Sequence, residues 1–262
     1  MPRHPLLGAL LLTLAFTGNA HADLFGKLDQ ALPAKVSITA NHPVFDFDSD
    51  GCLPSAGISR EGKQNGGLNP SGSLGGGCRA TTFLDSSNTL HRYACITSGS
   101  DSYCGHFYAL YFLKDQISTL GGGHRHDWEH AAVWTKNGVV THAGYSAHGK
   151  LYNAEIGTLA QQSGHVKIVY HKDGVSTHAL RFASSGEAAE NSYGSFVAPQ
   201  IISWYALKGD GVSNATLRAN LNSFDYGSAS IPLKDSNFLS NLNTYKPASY
   251  PSFTQASIDA SQ

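Results

Sequence analysis

From residue 107 onward the chain is built of short apolar runs broken by turn residues. Residues 107–113, 131–135, 139–143, 166–170 and 179–182 are brief, aromatic and β-branched, a composition that suits a pleated, half-buried surface. Asn137-Gly138 separates two of these runs and predicts a tight hairpin turn. Helical spacing is confined to the C-terminal part. There Ser213 can cap a short helix through Asn222, with Leu217 and Leu221 on one face. Asp235 or Ser236 can cap another that carries Phe238, Leu239 and Leu242. Residues 51–79, rich in Gly, Ser, Asn and Pro, read as a long structured loop. The pattern predicts a mainly β protein, a single-domain β-sandwich with a few peripheral helices.

Composition narrows what such a sandwich can do. With 262 residues and 41% in the hydrophobic set, the chain can build one sizeable core. Lys+Arg at 18 and Asp+Glu at 19 nearly cancel, which excludes a disordered polyelectrolyte and a strongly basic nucleic-acid binder. Thirteen histidines beside a single methionine point to metal or acid–base chemistry without placing it.

Residues 1–22 read as a signal peptide. Arg3 supplies positive charge, residues 6–16 are apolar but too few to span a bilayer, and Ala20-His21-Ala22 is a cleavage signal. The mature domain is then 23–262, secreted. Export makes disulfides the natural state of Cys52, Cys78, Cys95 and Cys104, for which three pairings exist. The short-loop pairing, Cys52 with Cys78 and Cys95 with Cys104, would restrain the irregular N-terminal third. A metal-thiolate site is disfavoured because no C-x-x-C pair is present.

The sharpest chemistry lies in Gly121-Gly122-Gly123-His124-Arg125-His126-Asp127-Trp128-Glu129-His130, where a flexible glycine run leads into a cluster of ionisable side chains. On a helix, His126 to His130 would fit the H-x-x-E-H pattern of a zinc hydrolase. The hairpin pattern that follows favours a strand instead. Asp127 and Glu129 then share one face, with His126, Trp128 and His130 on the other. Two adjacent carboxylates, with His124 hooking back and Asp115 closing the opposite wall, form an acidic concavity suited to Ca²⁺ or Mg²⁺.

Gly123 to Glu129 spells GHRHDWE, and this heptapeptide resembles the signature of the necrosis- and ethylene-inducing peptide 1-like proteins, the NLP cytolysins (NPP1 family). The stretch YALYFLKD ending at Asp115, and the segments around Tyr145, Tyr170, His178 and Phe224, are also similar to family segments. The four cysteines resemble the two-disulfide branch. The resemblance implies a non-enzymatic secreted toxin with an actinoporin- and fungal-lectin-like sandwich, monomeric in solution. It implies divalent-cation-dependent binding of glycosylinositol phosphorylceramide headgroups on plant plasma membranes, followed by membrane damage. It also implies that Asp115 and Asp127 ligate the ion, with His124 and Glu129 completing the site partly through water. His178 would line the same cavity, and His148 and Arg125 are further headgroup candidates. A non-toxic glycolipid-binding relative and a metal-dependent hydrolase are the alternative readings.

Two features stand apart from that pattern. The loop at 172–177 carries no Trp, whereas some members present an exposed aromatic there. Asp46-Phe47-Asp48-Ser49-Asp50-Gly51 resembles the first half of an EF-hand loop, so Asp46, Asp48 and Asp50 are candidates for a second, structural Ca²⁺. The twelfth position of such a loop is Gly57, so the usual bidentate Glu is missing.

Overall fold

The computed structural model describes residues 24–262; the expected signal peptide at 1–22 lies outside them. Among the described residues, ten strands and three α-helices follow one another in the order β1 (Val44–Phe47), β2 (Asn88–Ser98), β3 (Asp101–Ser118), β4 (Gly121–Lys136), β5 (Val139–Ala147), β6 (Lys150–Glu155), β7 (Gln161–Gln162), β8 (His165–Lys172), β9 (His178–Phe182), β10 (Gln200–Ser203), α1 (Asn214–Ser223), α2 (Phe238–Tyr245) and α3 (Gln255–Ala260). Strands β10-β2-β3-β4-β5-β6 form one sheet, antiparallel except where β10 meets β2. The second sheet centres on β8, with β1 parallel on one side, β9 antiparallel on the other and β7 on its first residues.

Aromatic side chains hold the sheets together. Phe112 of β3 stacks on Tyr170 of β8 with ring centroids 3.8 Å apart, and Phe47 of β1 meets Phe112 edge-on at 6.1 Å. The outer face of the larger sheet is covered by the C-terminal region. Phe107 packs on Phe238 of α2, Tyr111 on Tyr226, and Trp134 on Phe253. Large rings are buried on both faces of β3, and the β3–β4 hairpin carries the acidic residues.

Several sequence expectations change here. The strands are longer than their apolar runs, because polar residues such as Lys114, Asp115 and Gln116 are buried inside β3 with hydrogen-bond partners. The glycine run is not a flexible lead-in. Gly121 and Gly123 pair with Ser118 and Gln116 inside β4. Gly123 has φ 98°, and a Cβ there would stand 2.2 Å from the Asp115 carbonyl oxygen, so only glycine fits. The His126–His130 segment is strand, which removes the helix-borne zinc reading: His126 bonds Tyr111 and His130 lies on Phe107.

The hairpin turn at Asn137-Gly138 is present, with φ 52° and 79°. Ser213 caps α1 through the Thr216 amide, but α2 starts at Phe238 with Asn237 before it rather than at Asp235 or Ser236. The cysteines pair as Cys52–Cys78 and Cys95–Cys104. Replacing Phe112 by alanine should remove the inter-sheet stack and lower unfolding free energy by about 3–5 kcal/mol in urea titrations. A loss below about 1 kcal/mol would show that the sheets do not depend on this contact.

Candidate functional site

Pairing of β3 with β4 sets Asp115 opposite His124 and Phe112 opposite Asp127. Strict alternation would turn His124 away from Asp127, but His126 interrupts it with a left-handed backbone, φ 63°. As a result Arg125 and His126, neighbours in sequence, both lie against Gly67, and His124 turns to the Asp115 side. One ligand atom each from Asp115, His124 and Asp127 falls within 4.8 Å of the others, the one such cluster of three found among the described residues. Opposed ligands of Ca²⁺ stand about 5 Å apart, so the cluster has the right span for a hard divalent ion.

The donors are prepared for that role. The His124 Nδ1–H donates to the His126 carbonyl at 2.6 Å, which leaves Nε2 as the lone pair facing Asp115 Oδ2 at 4.0 Å. Asp127 accepts from the Tyr170 hydroxyl at 3.1 Å, and Glu129 accepts from the Ser146 hydroxyl, which in turn accepts from the His130 amide at 2.7 Å. Asp115 takes the backbone N–H of His178 at 2.8 and 3.0 Å and its ring Nδ1–H at 2.7 Å.

Charge is out of balance. Asp115, Asp127 and Glu129 are only 2, 5 and 7% exposed. Burial pushes Asp127 well above the ordinary carboxylate range and the Asp115 charge adds to it, with the Tyr170 hydrogen bond a partial offset. Burial does the same to Glu129, reinforced by Asp127. For His178 burial opposes the cation, yet hydrogen bonds and charge from Asp115 and Asp50 outweigh it and lift the imidazole to about 9. One imidazolium faces three carboxylates. A divalent cation beside them would relieve the excess, and the oxygen-rich donor set fits such an ion better than zinc.

These groups floor a cavity of about 450 Å³. Its opposite wall comes from the C-terminal region: Ser228, Ser230, Asn237, Asn241 and Tyr245. Ser146, Tyr170, Ser228, Ser230 and Asn237 fall within the family-like segments, but nothing in the residues themselves gave them a role, and no motif reached Asn241 or Tyr245. His148 lines the cavity but its Nε2 is held by Asp173 at 2.8 Å. His178 sits behind Asp115 with both ring nitrogens engaged, Nε2 lying 3.2 Å from the Asp50 carbonyl. Arg125 points away, donating to the Gly66 carbonyl at 2.9 Å and to Asn69.

Asp46, Asp48 and Asp50 do not form a ligand cluster. Asp46 is buried under the amides of Glu190 and Asn191, Asp48 faces Arg181 at 3.6 Å, and Asp50 turns towards His178. Burial raises Asp48 to about 6, with Glu190 contributing.

Comparison with known proteins places these features in context. The family model described as "Necrosis inducing protein (NPP1)" matches residues 37–245. "NLP effector protein 10" of Phytophthora capsici is 32% identical over 205 residues, covering 74% of this chain and 76% of that protein. "Necrosis-inducing protein NPP1" of Phytophthora nicotianae is 32% identical over 210 residues, covering 75% and 77%. A solved structure described as NLPPya in complex with mannosamine superposes with a TM-score of 0.68 at 25% identity, over 89% of this chain and 98% of that one.

The charge imbalance has a pH signature. Asp127, Glu129 and His178 all have folded pKa values above their unfolded ones, so each favours the protonated folded state. The His178 contribution is complete below pH 6.5 and fades as pH rises through about 9, and the two carboxyls act with the same sign. The buried histidines 91, 106, 126 and 130 are held neutral and reduce stability only below pH 6.5. In EDTA, unfolding free energy should therefore fall on the order of 1–3 kcal/mol between pH 6.5 and 9. A stability that climbs across this window contradicts the assignment.

Proposed function

The chain belongs to the necrosis-inducing NPP1 family, a non-enzymatic group of effectors with a shared toxin fold, and from that premise we propose that it is a secreted cytolysin that docks on glycosylinositol phosphorylceramide headgroups of plant plasma membranes through a divalent cation, Ca²⁺ or Mg²⁺. The observation that carries this reading is the convergence of two buried carboxylates, Asp115 and Asp127, and the His124 lone pair on the floor of an open cavity that the buried Glu129 also lines. A hard cation bound there supplies coordination positions that sugar hydroxyls can take. Asp115 and Asp127 would hold it directly, His124 through Nε2, and Glu129 from the next position along the strand.

The remaining work falls to the walls. Ser228, Ser230, Asn237 and Asn241 offer hydroxyl and amide partners of the kind a pyranose ring requires, beside the apolar surface of Trp128, Ala229 and Pro232. A relative solved with mannosamine supports a carbohydrate as the ligand. Membrane contact falls to the β8–β9 turn, where Val175 is 94% exposed, two residues from the cavity-lining Thr177. A small aliphatic residue at this tip, in place of an aromatic, favours the second reading, a glycolipid-binding relative with weak or no lysis.

Dye release from vesicles containing glycosylinositol phosphorylceramide, set beside binding to the same vesicles, separates the two readings. Asp127→Asn should reduce vesicle binding and ion affinity at least about tenfold while raising ion-free stability, because it removes a buried carboxylate that has too little countercharge. Full binding by this variant, or by the native protein in EDTA, would sink the cation role. Val175→Asp should leave ion affinity unchanged and lower leakage; equal leakage would show that this turn does not meet the bilayer.

A further inference from the structure

The turn that follows β1 reaches the cavity floor from behind. His178 Nε2 lies 3.2 Å from the Asp50 carbonyl and 3.6 Å from its carboxylate. A Cβ on Gly51 would stand 2.6 Å from both Cδ2 and Nε2 of the same ring. The Gly51 backbone is not left-handed, so it is space, not conformation, that excludes a side chain there. The ring cannot retreat, because it stacks on Tyr170 with centroids 5.2 Å apart and donates to Asp115 at 2.7 Å.

The same turn is fastened on its other side. Cys52 is bonded to Cys78, the Leu53 amide donates to the Cys78 carbonyl at 2.9 Å, and Arg79 donates to the carbonyls of Gly51 at 2.5 Å and Asp48 at 2.8 Å. An unbroken chain of contacts thus runs from the disulfide through Gly51 and His178 to Asp115.

We propose that the disulfide-fastened turn at residues 50–52 positions the cation pocket by pressing His178 onto Asp115, so that the Cys52–Cys78 bond and divalent-ion affinity are thermodynamically linked. This rests on the reading that the pocket holds such an ion. Asp50, Gly51 and His178 are positioning residues: none has to touch the ion, and each fixes the direction in which Asp115 presents its oxygens. Linkage is reciprocal, so whatever affinity is lost on opening the disulfide must return as resistance to reduction when the ion is bound.

Two measurements test it. Calorimetric titration with Mg²⁺ and Ca²⁺ should show Gly51→Ala and Asp50→Asn binding about five- to tenfold more weakly than the native protein. The second is equilibration with dithiothreitol, which passes two electrons and two protons to the disulfide and is itself oxidised to a cyclic disulfide. Saturating ion should make Cys52–Cys78 harder to reduce, by about 30 mV for a tenfold linkage. Cys95–Cys104, at the far end of β3 from Asp115, is the internal control and should not move. Native protein that takes up neither ion removes the premise and this proposal with it. Native protein that binds, beside variants that match it and a Cys52–Cys78 potential blind to the ion, overturns the linkage alone.

Discussion

Asp115 on one sheet accepts from two N–H groups of His178 on the other, the backbone N–H shared between both oxygens and the ring Nδ1–H, and this contact decides how charge is distributed at the seam between the sheets. The contact supplies one positive partner to a place where Asp127 and Glu129 are also buried. Asp127 stays close because it lies on the strand paired with β3, opposite Phe112, whose stack with Tyr170 fixes the spacing of the two sheets. Tyr170 then gives its hydroxyl to Asp127. Packing and electrostatics are coupled here: the rings that make the core also hold the carboxylates too near one another to ionise together in a medium of low dielectric. The site is held short of positive charge, and the pairing of β3 with β4 sets the carboxylate positions.

The left-handed backbone at His126 performs a second task. It costs on the order of 1–3 kcal/mol for a residue other than glycine, and the surroundings maintain it through the Tyr111 hydrogen bond at 2.6 Å and the close approach of Gly67. In return the strand presents His124 beside Asp127 and aims the His126 carbonyl at His124 Nδ1. One backbone angle therefore chooses both the direction of a donor and its tautomer. Gly123 completes the arrangement by letting β4 pass close to the Asp115 carbonyl, where a side chain would push the two halves of the site apart.

Much of this was legible in the sequence, for identifiable reasons. Period-two alternation put Asp127 and Glu129 on one face of a strand, and that face does form the cavity floor. The pairing of the four cysteines left three solutions open, and the structure selects the short-loop one. Strand ends were not legible, because buried polar residues such as Gln116 satisfy themselves with carbonyls from residues 72 and 118 that no periodicity announces. The D-x-D-x-D-G run suggested a calcium loop by local spacing. Its carboxylates instead take partners 128 to 145 residues away in sequence, at His178, Arg181 and Asn191. Local spacing carries no information about such partners. The same limit hid the C-terminal wall of the cavity, where Ser and Asn residues have no signature of their own.

The cavity is therefore assembled from two chemically distinct halves. The charged half belongs to β3, β4 and β9, with Ser146 and His148 beside it, and is braced from behind by a disulfide-fastened turn. The neutral half belongs to residues 228–245, joined to the sheet through Phe238 and Tyr226. Because β5 pairs with β4 only from Ala131 onward, residues 124–129 form an edge that the two halves meet across. A ligand at that edge meets fixed charge on one side and neutral hydroxyls and amides on the other. Substitutions in the first half should change whether an ion is held, and those in the second which ligand is accepted; the separation follows from the different elements that carry each half, since no side chain belongs to both.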